Sequence, residues 1–211
     1  MPSVYDLKPR FQNLLRPLMR YLARRGCTPN EVTGIAVMGS ILAGLGVLQA
    51  GRWSPLLLLL PLWLFARMAL NAIDGMMARE LHMASNLGAV LNELGDVLSD
   101  LGLYLPLAFL YPRAGWPVVA FSFGAVLAEF SGVLGRALGA ARHYEGPMGK
   151  SDRAFLVGAL CLVTFAVPAA FVVWPWVFSA GALLALITCW NRVSRALAEL
   201  ASALAQNSKD D

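Results

Sequence analysis

Six apolar stretches, each near membrane-crossing length, divide this chain of 211 residues. They run over about 32–50, 55–78, 87–111, 116–138, 154–173 and 176–197. A helix needs about 20 apolar residues to cross a bilayer. Composition points the same way. Hydrophobic residues make up 58% and charged residues 14%, where soluble domains carry about 25% charged residues. An ordinary soluble domain is therefore excluded, and so is disorder, because apolar surface is plentiful. The expected fold is an all-α integral membrane protein. An amphipathic juxtamembrane helix (1–27) precedes one domain of six transmembrane helices (28–205), and a disordered tail (206–211) follows.

Residues 1–27 lack the apolar core of about 7–15 residues that a signal peptide needs. Instead Leu7, Phe11, Leu14, Leu15, Leu18 and Leu22 recur at helical spacing, interleaved with Lys8, Arg10, Arg16, Arg20 and Arg24. Such a helix lies on the cytoplasmic leaflet of a membrane or binds a partner, and Pro17 should bend or split it. Fourteen basic residues fall on one side of the expected spans and two, Arg52 and Arg113, on the other. That bias places both termini in the cytoplasm. The net charge of +4 is too small an excess to argue for a nucleic-acid partner. Cys27, Cys161 and Cys189 are far apart and form no C-x-x-C pair, so neither a disulfide framework nor a zinc site is expected.

The second, third and fourth spans contain groups that lipid disfavours: Arg67, Asn71, Asp74, Asn92, Glu93, Asp96, Asp100 and Glu129. An ionisable group in the hydrocarbon region costs about 2.5–3.5 kcal/mol. Asn71 and Asp74 are three residues apart. Asn92, Asp96 and Asp100 follow at steps of four. Each set lies on one helix face. Counted from the short connection between the two spans, both sets lie about 10 Å below the cytoplasmic surface. The result is a cluster of oxygen ligands that suits hard cations such as Mg²⁺ or Mn²⁺, with Ca²⁺ the alternative. Polar groups that only join helices would also show such residues. Gly75, Ala78 and Gly88 remove bulk beside the carboxylates, and Arg79 can face a phosphate.

The spacing from Asn71 to Asp96 resembles the signature of the CDP-alcohol phosphotransferase family, D-x2-D-G-x2-A-R-x8-G-x3-D-x3-D. Here it reads N-x2-D-G-x2-A-R-x8-G-x3-N-x3-D. Thr28-Pro29-Asn30 and Thr33 resemble the family too, and the likeness covers nearly the whole chain. The runs R-M-A-L-N-A-I-D-G-M-M-A-R and L-N-E-L-G-D look closest to a YnbA-like bacterial branch. The resemblance implies a transferase of phospholipid biosynthesis in the bacterial inner membrane, with its site facing the cytoplasm. It would move a phosphatidyl group from a CDP-linked lipid such as CDP-diacylglycerol to a polar, phosphorylated alcohol and release CMP. Carried over by position, Asp74 and Asp96 are catalytic residues and metal ligands, with Asp96 the general base. Asn71 and Asn92 complete the metal set. Thr33, Asn71, Gly75, Ala78, Arg79 and Gly88 would bind the CDP-lipid. A homodimer is also implied.

The first and third acidic positions are Asn71 and Asn92. Asparagine keeps a carbonyl oxygen but loses the charge. Metal affinity should fall, or one site alone should form well, with Asp100, on the same face as Asp96, and Glu93, which points elsewhere, as partial compensation. The connection between the fourth and fifth spans holds Arg136, Arg142, Lys150 and Arg153, and Arg192 lies near the inner end of the sixth. These cations are the candidate acceptor site, with positive-inside charge as the alternative. Glu129 has Arg67, Arg136 or a dimer partner as candidate counterions. Small residues Gly124, Ala128, Ser131, Gly132, Gly135 and Gly139 in the fourth span suit a dimer face or packing within the chain. Two other functions remain open. A transporter also carries intramembrane carboxylates, but the spaced Gly and Ala-Arg positions and the lack of an inverted repeat weigh against it. A CDP-lipid binder that performs no transfer is motivated by the two asparagines.

Overall fold

The computed structural model describes residues 4–210, with side chains described for 9–206. Expectations placed on Leu7, Lys8 and Lys209 lie outside the described side chains. Seven α-helices and short 3₁₀ turns make up the described chain, with no strand among them. Helix α1 is Val4–Arg24 and α2 is Pro29–Val47. A 3₁₀ turn, Ser54–Leu58, leads into α3, Leu59–Glu80. Helix α4 is Asn86–Tyr104 and continues as a 3₁₀ turn to Phe109. Then come α5 (Gly115–Ala137), α6 (Lys150–Ala166) and α7 (Trp174–Asp210). Each of α2 to α7 falls on one of the six apolar stretches. The backbone is helical as far as Asp210, where disorder is expected from 206.

Among the described residues, four segments are long and apolar enough to cross a membrane by length and composition: Pro29–Val47, Ser54–Glu80, Pro112–Ala137 and Pro168–Gln206. The sequence leads one to expect six. Helix α4 is interrupted by Glu93, Asp96 and Asp100, and α6 is 17 residues long and opens on Lys150, Asp152 and Arg153. Asp152 is exposed and caps α6 through the Gly149 N–H, but the other groups are directed toward each other and toward α3 and α5, so their polarity is spent inside the bundle. The wide apolar faces of the bundle stay exposed, as at Leu62, Phe65, Phe123 and Leu183. Trp53, Trp116 and Trp176 are exposed at the end opposite the polar cluster, where amphipathic rings sit at a membrane–water boundary.

Local signals start the helices that carry the site. Thr28 caps α2: the Glu31 backbone N–H donates to Thr28 Oγ1 at 3.3 Å, and the Thr28 N–H donates to Glu31 Oε2 at 2.7 Å. This reciprocal box satisfies two otherwise orphaned groups. Ser85 caps α4 by accepting from the Gly88 N–H at 3.0 Å. The tight α3–α4 turn places His82 at φ 54. Helices α2 and α4 then run side by side in contact of backbone with backbone. A Cβ at Gly44 would land on the Gly102 carbonyl oxygen, so only glycine permits the approach.

One expectation is narrowed here and one stated alternative is chosen. Helix α1 continues through Pro9 and Pro17 as one helix. Arg16, next to Pro17, donates to Glu80 Oε1 at 2.9 Å, and Met19 is buried against Val32, Ile73, Met76 and Met77. These contacts dock α1 on the end of α3 and outweigh the helical hydrogen bonds that Pro9 and Pro17 cannot make. The small-residue face of α5 is buried within the chain. A Cβ at Gly124 would lie 2.9 Å from Ala185 Cβ, and one at Gly135 would lie 2.9 Å from Ala196 Cβ. From Gly124 to Gly135 that face meets α7, while Gly139, past the end of α5, is exposed.

Candidate active site

The signature residues meet at the end of the bundle where α2 begins, α3 ends and α4 begins. Asp74 is 6% exposed, and its Oδ2 lies 2.9 Å from Thr33 Oγ1. The Thr33 hydroxyl also lies 3.1 Å from the Pro29 carbonyl, so its single proton serves one acceptor at a time. Asn71 Nδ2 donates to Asp96 Oδ1 at 3.4 Å. Asn92 is half-buried one turn before Asp96 on α4. Gly75 makes room for Arg79: a Cβ there would come within 3.1 Å of Arg79 Nη2. Ala78 is half-buried on the same turn. Gly88 faces the Asn30 amide oxygen, 2.8 Å from where a Cβ would stand. Thr33, Asn71, Asp74, Gly75 and Asp96 thus share one small region, and Arg79 folds back over its edge.

Asp96 is heavily engaged. Its Oδ1 accepts from Lys150 Nζ in a short ion pair, from Arg67 Nη2 at 3.2 Å and from Asn71. Asp100 does not extend the ligand set as expected. It is 2% exposed, with Arg67 Nη1 2.5 Å from its Oδ1. Arg153 Nε and Nη2 lie 3.1 and 2.9 Å from its Oδ2. Both oxygens are saturated by guanidinium groups, so Asp100 is a structural counterion. Glu93 is likewise taken, by Arg142.

The expected acceptor cations divide. Lys150, Arg153, Arg142 and Arg192 come together, but each is already paired. Arg136 is exposed on α5 and, among the described residues, joins none of these ion pairs. Glu129 pairs with Arg142 and Arg153 rather than with Arg67 or Arg136, because α5 turns it toward α6 and α7. Two features hold the connection that delivers Lys150. Gly146 adopts φ 138 directly against Thr188, and the Met148 N–H donates to Thr188 Oγ1 at 2.9 Å. The role of Arg67 is not legible in sequence order. An arginine inside a span signals a buried partner, but not that it reaches both Asp96 and Asp100.

The donor set fits a hard divalent cation. Asp74 and Asp96 supply two carboxylates and Asn71 and Asn92 two amide oxygens, all oxygen donors. No group of three His, Cys, Asp or Glu side chains suited to a metal occurs among the described residues.

Comparison with known proteins decides the family. The profile of CDP-alcohol phosphatidyltransferases matches residues 27–190. The chain belongs to this family. It is 48% identical over 157 residues to the inner membrane protein YnbA of Escherichia coli K12, covering 74% of this chain and 77% of YnbA. It is 26% identical over 209 residues to a phosphatidylinositol phosphate synthase of Streptomyces avermitilis, covering 92% and 84% of the two chains. Its fold matches that of Mycobacterium tuberculosis phosphatidylinositol phosphate synthase PgsA1 crystallised with CDP-DAG bound. The TM-score is 0.75 at 21% identity, over 87% of this chain and 94% of that one. A PgsA1 structure with manganese and citrate aligns at a TM-score of 0.74 and 22% identity. This transferase family and its membrane fold agree with the resemblance drawn from Asn71 to Asp96.

Proposed function

We propose that this family member is an enzyme of the bacterial inner membrane with its site at the cytoplasmic face. It transfers a phosphatidyl group from a CDP-lipid, CDP-diacylglycerol in the first instance, to a polar alcohol. The observation that carries this reading is the convergence of Asp74, Asp96, Asn71 and Thr33 at one end of the bundle. Helices α4 and α6 cross the membrane with the other four, their charged groups neutralised inside. YnbA is named as an inner membrane protein and PgsA1 was crystallised with CDP-DAG and with manganese. Both support the same assignment for this chain.

In the reaction, a bond forms between the acceptor hydroxyl oxygen and the lipid-side phosphorus, and the bond from that phosphorus to the CMP oxygen breaks. Asn71, Asp74, Asn92 and Asp96 would hold a divalent cation, Mg²⁺ or Mn²⁺. When bound, it would supply charge neutralisation on the pyrophosphate. Arg79, folded over Gly75, sits at the edge where phosphate oxygens would enter. Thr33 orients the Asp74 carboxylate. The Asp96 carboxylate receives the acceptor proton, and Lys150 holds that carboxylate in place beforehand.

The test is CMP release from CDP-diacylglycerol by purified protein, with Mg²⁺, Mn²⁺ and Ca²⁺ scanned against a panel of alcohols. Asp74→Ala is the control. Metal-dependent release that the substitution removes is the expected result. Asp96→Asn should also abolish turnover, and retained turnover would remove its role as base. The Lys150–Asp96 ion pair and the two asparagines favour a second reading, a CDP-lipid binder without transfer. It predicts saturable binding with no CMP under any condition.

A further inference from the structure

Three guanidinium groups converge on one buried carboxylate beside the signature residues. Glu129 is 5% exposed. Its Oε1 accepts from Arg153 Nη2 at 2.8 Å and lies 3.6 Å from Arg192 Nη1. Its Oε2 accepts from Arg142 Nη2 at 3.2 Å. Arg153 also holds Asp100, Arg142 also pairs with Glu93, and Lys150 holds Asp96. These cations are the candidate acceptor site, where a phosphate on the acceptor alcohol would bind.

Charge decides whether it can. The network and the adjoining Asp74 contain Arg67, Arg142, Lys150, Arg153 and Arg192 against Asp74, Glu93, Asp96, Asp100 and Glu129. Within this set the positive and negative groups are equal in number before any ligand arrives; Arg79 lies outside it, over Gly75 at the edge where the pyrophosphate would enter. The two negative charges of a CDP-lipid pyrophosphate are matched by one divalent cation. A phosphate monoester on the acceptor adds about −1.5 to −2 charge. It would meet a carboxylate already seated among the guanidinium groups, at a depth where like charges interact strongly.

The same cluster has unused hydrogen-bond donors. Arg142 Nε and Arg192 Nε are buried without a hydrogen-bond partner. Gly132 flanks both side chains: a Cβ there would lie 3.7 Å from Arg142 Nε and 3.8 Å from Arg192 Nη1. A buried donor left unmade costs about 1–3 kcal/mol. An uncharged hydroxyl oxygen satisfies it without adding charge.

We propose that Glu129 is the resident anion of the acceptor pocket, and that the acceptor is a polyhydroxy alcohol bearing no phosphate. Glu129 is then a specificity-determining residue: its carboxylate stands where an acceptor phosphate would otherwise sit. The proposal rests on the transferase reading above and departs from the phosphorylated acceptor expected from the sequence.

The experiment uses the full chain in detergent and two matched pairs of probes: glycerol with glycerol 3-phosphate, and myo-inositol with inositol 1-phosphate. Binding is measured by calorimetry for wild type and for Glu129→Gln, which keeps the side-chain size and removes the charge. Wild type should bind the unphosphorylated member of a pair in preference. Glu129→Gln should gain affinity for the phosphorylated member by about tenfold or more. CMP release from CDP-diacylglycerol, followed in parallel, should show the same preference in kcat/KM and the same change on substitution. A wild-type preference for the phosphorylated members overturns the proposal, as does no difference within the pairs. Absence of CMP release with every alcohol would overturn the transferase reading, while the binding comparison still decides the charge selectivity of the pocket. If Glu129→Gln does not fold, the wild-type comparison decides alone.

Discussion

Asp100→Asn isolates the charge that joins α3, α4 and α6. The substitution changes little in volume, but it removes the negative charge that Arg67 and Arg153 share. It also turns an amide N–H₂ toward a guanidinium group, donor against donor. Removing one partner from a buried ion pair costs about 3–5 kcal/mol. The lower end applies, because Arg67 keeps Asp96 at 3.2 Å and Arg153 keeps Glu129 at 2.8 Å. For a chain of this size, 1 kcal/mol moves Tm by about 2–4 °C, so about 3 kcal/mol corresponds to a fall of about 6–12 °C. Six tryptophans make fluorescence-detected thermal unfolding in detergent a direct assay. Adding Arg67→Met removes one uncompensated cation, so the double variant should be more stable than the sum of the single effects by about 1 kcal/mol or more. A Tm within about 2 °C of wild type, or strict additivity in the double variant, would refute the view that Asp100 is the counterion of both arginines.

Three further outcomes are expected. Asn71→Asp together with Asn92→Asp should tighten Mn²⁺ binding, followed by electron paramagnetic resonance, by about tenfold or more, because ligand charge sets affinity at oxygen sites; unchanged affinity would mean that neither asparagine touches the metal. Gly146→Ala puts a Cβ 2.5 Å from Thr188 Cγ2 at φ 138. It should cost about 1–3 kcal/mol and release the connection that carries Lys150, read as faster proteolysis between α5 and α6; a neutral result would show that the loop does not need this conformation. The Glu145 carboxyl is held below the usual carboxylate range, first by its own backbone N–H and then by His143 and Arg195. Its contribution is therefore complete above the unfolded value of about 4.3 and is lost as pH falls through the lower folded value. Proteolysis of the same connection should accelerate over that acid range and not between pH 5 and 7.

Much of the fold was legible because its signals are local. Thr28 and Ser85 mark helix starts by capping, and the six apolar stretches fall on α2 to α7. Spacing of three and four residues put Asn71 with Asp74 and Asn92 with Asp96 on single faces. A short connection was enough to bring those faces together. Pro17 does not split α1, and the contacts of Arg16 and Met19 that hold this helix in place are with another helix. The small residues of α5 gave no sign of their partner, since a close-packed face reads the same toward α7 as toward a second copy.

The sequence by itself determined where the main helices fall and which of their faces carry the oxygen-bearing side chains. These follow from a fixed helical repeat and rise per residue. The tertiary structure alone decided the pairing of charges. Arg67 reaches Asp100 across 33 residues, Arg153 reaches Asp100 across 53 and Glu129 across 24, and Lys150 reaches Asp96 across 54. Each pairing depends on how two helices are rotated about their own axes. That rotation is set by contacts such as Gly44 on Gly102 and Gly124 on Ala185, which form only when the whole bundle closes.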